Sequence, residues 1–313
     1  MNTSIEDRRR FLGVLAATGV GAAFPLDVLA LQTGEPSRTA IGAAIHRAAH
    51  QLLDRPIVFD DPVALRILGA DRVRWLGGNL ARYQTSASRG MRAFLVTRSR
   101  YAEDQLARAF KQGTRQYIVL GAGLDTFAYR NPYDRHLRVF EIDHPSTQTW
   151  KRRRLLDQRI EMPRTLTFVP VDFEKQSLAQ RLRQAGVRQS APAFISWLGV
   201  TMYLTRDAVM QSLRFVAQSC ARGSEIVFDF SMPDELLGEA ERLARAKRAE
   251  RVASIGEPWI STFDPPTLTR DLTALGFSQV RHMGATEANA RYFADRSDQF
   301  SFRGSARIMT ARV

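Results

Sequence analysis

The chain has 313 residues, 44% of them hydrophobic and 25% charged, with a net charge of +13. That composition excludes a disordered polyelectrolyte and supplies enough chain for one large α/β domain with insertions, or two small domains. Lysine is confined to Lys111, Lys151, Lys175 and Lys247, so the positive charge is arginine dispersed along the chain; it reads as solvated helix faces rather than a nucleic-acid interface, and it suits an anionic small substrate. Cys220 is the single cysteine, which excludes an intrachain disulfide and a cysteine-based zinc site. His46 and His50 are one helical turn apart with no third ligand in view, so they read as a helix face and no metal site is expected.

In chain order, residues 8–30, "RRRFLGVLAATGVGAAFPLDVLA", resemble a twin-arginine export signal with Val28-Leu29-Ala30 as a cleavage site. The competing reading is a non-functional extension. The apolar part is too short for a stable membrane span, which needs about 20 residues. Residues 1–35 are therefore set apart from the fold. Residues 36–112 read as a helical cap: "TAIGAAIHRAAHQLLD" and "MRAFLVTRSRYAEDQLARAF" carry apolar residues at helical spacing. Between them Pro56 and Pro62 mark a turn and the start of a short helix.

After Gly113 short β-branched runs alternate with helical ones. Strands are predicted at Tyr117 to Leu120, Leu137 to Ile142, Leu166 to Val171, Ala193 to Trp197, Glu225 to Phe230, Gln279 to Met283 and Ala306 to Thr310. Segments such as "PSTQTWKRRRLLDQ" and "RDAVMQSLRFVAQS" are long enough for crossover helices. The alternation predicts a largely parallel, doubly wound sheet over residues 113–313, with a ligand beyond the carboxyl ends of its strands. Asp234 to Ser254 reads as one long charged helix, a lid or edge element.

The residues just past the strands carry the chemistry. Gly121 and Gly123 follow the first strand, where glycine permits a sharp turn and close approach to a ligand. A dinucleotide site would place a third glycine two residues on and a pyrophosphate at the next helix. Here those positions are Leu124 and Asp125, and the aspartate repels a pyrophosphate and tolerates a cation, so an NAD-dependent oxidoreductase is disfavoured. Asp143 follows Gly123 by twenty residues, a spacing that reaches ribose hydroxyls in NAD and S-adenosyl-L-methionine alike. Asp172 could accept from an adenine amino group, with the Phe173 N–H on a ring nitrogen. Three acids in register favour a cationic nucleoside, while each one singly could instead cap the helix that follows.

Together "VLGAGLDTFAYR", "FEIDHPSTQTWKRR", "FVPVDFE" and "SWLGVTMYLTRDAV" resemble the ordered motifs of the leucine carboxyl methyltransferase family, in its bacterial branch. The resemblance extends upstream to "TAIGAAIHRAAHQLLDRPIVFDDPVALRILG" and "TRSRYAEDQ", and the LDTxxYR continuation is its most specific part. It implies an α/β, Rossmann-like class I methyltransferase fold with a mostly parallel seven-stranded sheet, an N-terminal helical cap and an insertion helix that forms the acceptor pocket. It also implies S-adenosyl-L-methionine as cofactor, with Arg98 on the methionyl carboxylate, Gly121 and Gly123 beneath the cofactor, Asp143 on the ribose, and Asp172 with Phe173 on adenine. Tyr203 matches a residue lining the pocket near the methyl group, with a buried structural tyrosine as the competing role. Leu198 replaces a glutamate found before Gly199 in eukaryotic members, which argues against a protein C-terminal leucine as acceptor.

The expected reaction is O-methylation of a carboxylate on a small molecule, since such an acceptor needs no general base and no candidate base stands out; His144 reads as a helix-start residue before Pro145. Because the cofactor is made in the cytoplasm, the expected location is cytoplasmic. The alternative is a non-catalytic S-adenosylmethionine-binding protein exported through the twin-arginine route.

Overall fold

The computed structural model describes residues 37–172 and 176–313. The export-like segment and Phe173 lie outside the described residues. Helix α1 (Arg38–Leu53) starts where the Ser37 hydroxyl accepts the Ala40 N–H. Helices α2 (Val63–Leu68) and α3 (Ala70–Gly78) and a 3-10 turn over Leu80–Tyr83 follow, and then the long α4 (Ser86–Lys111), capped by Thr85. Gly113 takes φ +102 just past α4, and the Thr114 N–H returns to the Ala109 carbonyl at 3.0 Å; this left-handed exit aims the chain into the sheet.

All seven predicted strands are present: β1 (Gln116–Leu120), β2 (Arg138–Asp143), β3 (Leu166–Pro170), β4 (Phe194–Trp197), β5 (Glu225–Ser231), β6 (Ser278–Met283) and β7 (Ala306–Arg312). They form one sheet in the order β3-β2-β1-β4-β5-β7-β6, parallel from β3 to β5, with β7 antiparallel to both neighbours. The order reverses direction at β1 and β4, so the crevice at their carboxyl ends is the position a ligand takes in such sheets. The crossover helices are α5 (Pro145–Asp157), α6 (Leu178–Gln184) and α7 (Arg206–Ser219).

β1 is buried along its whole length because both faces are covered. Ile118 and Leu120 enter one core with Phe140, Ile195 and Phe228, while Tyr117 and Val119 enter the opposite core with Val96, Leu106 and Phe302. A third cluster joins Ala44, Ala48 and Ile67 of the N-terminal helices to Leu124 and Leu155, so the cap packs on the chain just beyond the glycine turn.

The segment expected as one helix from Asp234 to Ser254 is divided. A 3-10 turn over Asp234–Leu236 is followed by extended residues, and α8 (Glu239–Ser254) begins only after Gly238, whose backbone is extended at φ −63 and ψ 157. Helices α9 (Pro265–Ala274) and α10 (Ala285–Tyr292), which the sequence reading did not single out, flank β6. Among the described residues no helix is long and apolar enough to cross a membrane.

Candidate active site

The turn after β1 is wedged from two sides. Gly121 and Gly123 adopt φ +65 and +44, the left-handed region where a Cβ is penalised. A Cβ on Gly121 would stand 2.5 Å from Val200 Cγ2, beyond β4, and one on Gly123 would stand 3.2 Å from Ala40 Cβ on α1. The last residue of β2, Asp143, closes the turn: its carboxylate accepts the Gly123 N–H at 2.6 Å and the His144 N–H at 2.7 Å. Burial raises the Asp143 pKa and those two N–H donors pull it back. His144 itself is the N-cap of α5, its Nδ1 2.7 Å from the Ser146 hydroxyl.

Arg98, on α4, arrives at the same crevice. Its Nη1 donates to Asp229 Oδ2 at 2.9 Å, and the other oxygen of that carboxylate accepts the Gly199 N–H at 2.6 Å. Gly199 takes φ +74, and a Cβ there would lie 2.7 Å from Arg98 Nη2, so only glycine lets the guanidinium cross the end of β4. Asp229 was missed by the sequence reading. The signal available was an acid inside the otherwise apolar "EIVFDFS" strand, since a buried carboxylate requires a partner.

The acid after the glycines, Asp125, turns its carboxylate onto the Phe127 N–H at 2.9 Å and so holds the 3-10 turn Phe127–Arg130. Its carbonyl accepts Lys151 Nζ at 2.8 Å, and Lys151 pairs with Glu141 at 2.6 Å, both side chains 1% exposed. Burial pushes the Glu141 carboxyl up to about 7 despite the lysine. The rest of the LDTxxYR stretch is clamped to the cap through fully buried Asp61, which accepts from Thr126 Oγ1 (2.7 Å) and Arg47 Nε (3.1 Å) and pairs with Arg130 (3.4 Å). Arg47 also donates to the Leu124 carbonyl at 2.5 Å, and Arg130 forks onto Glu103.

Asp172 follows β3, where its N–H donates to Gln176 Oε1 at 3.2 Å and its carbonyl accepts the Gln176 N–H at 2.8 Å. Tyr203 lies in the turn after β4, its hydroxyl beside Thr39 and Trp259. Burial raises its pKa above the ordinary phenol value, and those two side chains draw it partly back; among the described residues the Trp259 indole N–H completes no well-aligned hydrogen bond. Thus Gly123 and Asp143 are joined by a direct contact, Gly121 is wedged against Val200 beside Gly199, Arg98 meets Gly199, and Tyr203 meets α1 at Thr39. Two open cavities, about 260 Å3 around Asp60, Glu103 and Tyr133 and about 480 Å3 around Arg108, Arg281 and Arg291, include none of the expected site residues. Among the described residues no group of three His, Cys, Asp or Glu side chains is arranged to hold a metal.

Comparison with known proteins shows the family and the fold. A protein of Bacillus subtilis (strain 168), "Putative S-adenosyl-L-methionine-dependent methyltransferase YktD", is 30% identical over 296 residues, which is 87% of this chain and 96% of the relative. A Mycobacterium tuberculosis (strain ATCC 25618 / H37Rv) protein, "Putative S-adenosyl-L-methionine-dependent methyltransferase Rv3787c", is 31% identical over 251 residues, 77% of this chain and 74% of its own. The crystal structure of "a putative methyltransferase from Thermobifida fusca YX" shares the fold at a TM-score of 0.53 and 17% identity, covering 90% of this chain and 96% of that one. The family model described as leucine carboxyl methyltransferase matches residues 40–217, and with the relatives it establishes that the chain belongs to the leucine carboxyl methyltransferase family.

Proposed function

We propose that this chain, an S-adenosyl-L-methionine-dependent methyltransferase of that family, methylates a carboxylate of a small molecule. The observation that carries the reading is the contact of Asp143 with the Gly123 N–H at 2.6 Å, which joins the ends of β1 and β2 beside the Arg98 guanidinium lying over Gly199. These residues fit the cofactor: a turn of two glycines at positive φ that puts bare backbone at the end of β1, a carboxylate for a ribose edge, and a guanidinium for an amino-acid carboxylate. Asp125 and Asp172 add negative charge suited to a sulfonium, and Asp172 with Phe173 would hold adenine.

When bound, the sulfonium supplies an already activated methyl group: the S–CH3 bond breaks, an O–CH3 bond forms, the electron pair stays on sulfur and no proton moves. The chain's own residues align and exclude water. Arg98, braced by Asp229, fixes one end of the donor, and Asp143 fixes the middle. Tyr203, its phenol held protonated by burial, donates a hydrogen bond at the pocket wall rather than taking a proton. A carboxylate acceptor, ionised at neutral pH with a reference pKa near about 4, needs no base. Residues 36–112 act as the cap and the 234–254 segment as the lid. The donor's supply places the enzyme in the cytoplasm.

Calorimetric titration of the full chain with S-adenosyl-L-methionine, S-adenosylhomocysteine and NAD tests the cofactor: the two adenosyl ligands bind, NAD does not, and D143A abolishes binding. Binding of NAD alone would overturn the reading. Incubation with methyl-labelled donor and a library of organic acids then yields a base-labile ester that releases methanol. A base-stable labelled product refutes carboxylate methylation.

A further inference from the structure

Helix α8 and the chain just past it meet α1 in two places and leave a gap between them. At the first, Glu257 accepts the N–H groups of Arg38 (2.8 Å) and Thr39 (3.1 Å) and the hydroxyls of Ser37 (3.2 Å) and Thr39. At the second, the Arg251 charge bears on the His46 ring, whose pKa burial lowers first and Arg92 and Arg251 lower further, and on the Tyr83 phenol, whose pKa burial raises while Arg82 and Arg251 draw it partly back. Thr39 and His46 are two turns apart on one face of α1, about 10 Å at 1.5 Å per residue. Between them, among the described residues, Gly42 has no neighbouring atom within 4 Å of the position a Cβ would take. Helix α8 buries none of its residues.

Both ends of the gap carry polar groups without a full complement of partners. His46 Nδ1 is buried with no hydrogen-bond partner among the described residues, and its ring stands edge-on to Tyr83 at 5.4 Å. Burial, then Arg92 and Arg251, push its pKa down to about 4, so the imidazole is neutral at pH 7. A buried ring nitrogen left unpaired costs about 1–3 kcal/mol, and native folds keep few of them. Arg251 is exposed and makes no ion pair among the described residues. At the other end stand Tyr203 and the Trp259 indole N–H.

We propose that this gap is the acceptor site and that it takes a small organic acid with a second anionic group about 10 Å from the carboxylate that is methylated, such as a medium-length dicarboxylate. This rests on the reading of the chain as a carboxylate methyltransferase. The reacting carboxylate lies at the Tyr203 and Trp259 end. The remote one pairs with Arg251, while neutral His46 and the Tyr83 hydroxyl offer hydrogen bonds without a competing anion.

The test uses the full chain saturated with S-adenosylhomocysteine, titrated with azelate, whose carboxylates stand about 10 Å apart when extended, and with nonanoate, which lacks the second one. Azelate should bind about tenfold more tightly, as one partly desolvated charge pair provides, and should shift the His46 ring 15N resonances. R251Q should erase the azelate advantage while leaving nonanoate and S-adenosylhomocysteine affinity unchanged, and H46L should weaken azelate several-fold. Equal affinity for the two acids, no azelate binding, or an R251Q protein that still prefers azelate overturns the proposal. Failure of S-adenosylhomocysteine itself to bind overturns the underlying reading, and this one with it.

Discussion

Replacing Gly121 by alanine separates two costs that the structure places on one residue. The backbone there sits at φ +65, and the added Cβ would stand 2.5 Å from Val200 Cγ2. An L-residue in the left-handed region costs about 1–2 kcal/mol. Overpacking against a side chain that follows a buried strand costs roughly another 1–3 kcal/mol. The sum, about 2–5 kcal/mol, is a large share of the 5–15 kcal/mol that stabilises a typical domain. Urea unfolding of G121A should therefore show a much lower midpoint at unchanged slope. Trimming Val200 to alanine in the same protein removes the contact but not the backbone strain, so G121A/V200A should recover the overpacking part and retain about 1–2 kcal/mol. G123A is the graded comparison: at φ +44 and with Ala40 Cβ at 3.2 Å, the neighbour need yield only a few tenths of an ångström, and the loss should be near the backbone cost alone. If the G121A and V200A effects simply add, with a coupling under about 0.5 kcal/mol, the contact does not set the requirement for glycine and the reasoning fails.

Three further outcomes follow from the site. R98K keeps the charge but loses the planar group that lies over Gly199 and reaches Asp229, so S-adenosylhomocysteine affinity should drop about tenfold or more by calorimetry; an unchanged affinity would remove Arg98 from the site. K151M leaves Glu141 buried without its cation and should cost about 3–5 kcal/mol at pH 8. Because burial already raises the Glu141 pKa above its unfolded value of 4.5, to about 7, its contribution is most favourable below 4.5 and worsens as pH rises through 7. The K151M deficit should accordingly shrink at pH 5, and a deficit equal at both pH values refutes the assignment. E257A frees the donors at the start of α1, so amide exchange should quicken in 38–42 and 239–257 while the sheet stays protected; uniform protection would show that Glu257 does not tether this segment to α1.

Much of the fold was legible because its strands are continuous apolar runs punctuated by glycine and acids. "YIVL" and "IVFDF" lie within a residue or two of the observed strands, since burial on both faces leaves no alternation to misread. The division of the 234–254 segment was not legible: charged helix formers continue on both sides of Gly238, and only its extended backbone reveals the break. The glycines, Asp143 and Arg98 could be found from their places after strands and in motifs. Their supports could not. Asp229, Asp61 and Glu257 act on residues that lie 131, 65 and 219 positions away in the chain, contacts that no local spacing encodes. The structural task of Asp125, whose carboxylate accepts the Phe127 N–H and holds the turn, was not read from its charge.

The clamp centred on Asp61 means that residue 113 is no seam. Both acids that neutralise Arg130, Asp61 and Glu103, and the guanidinium that holds the Leu124 carbonyl belong to the helical segment before it. A fragment starting at 113 would keep every strand yet present Arg130 to water with no counter-ion from the cap, and its glycine turn would be free to sample other shapes. The N-terminal helices thus hold the far side of the glycine turn. Exchange of caps between relatives has to carry Arg47, Asp61 and Glu103 together with the Thr126 and Arg130 they hold.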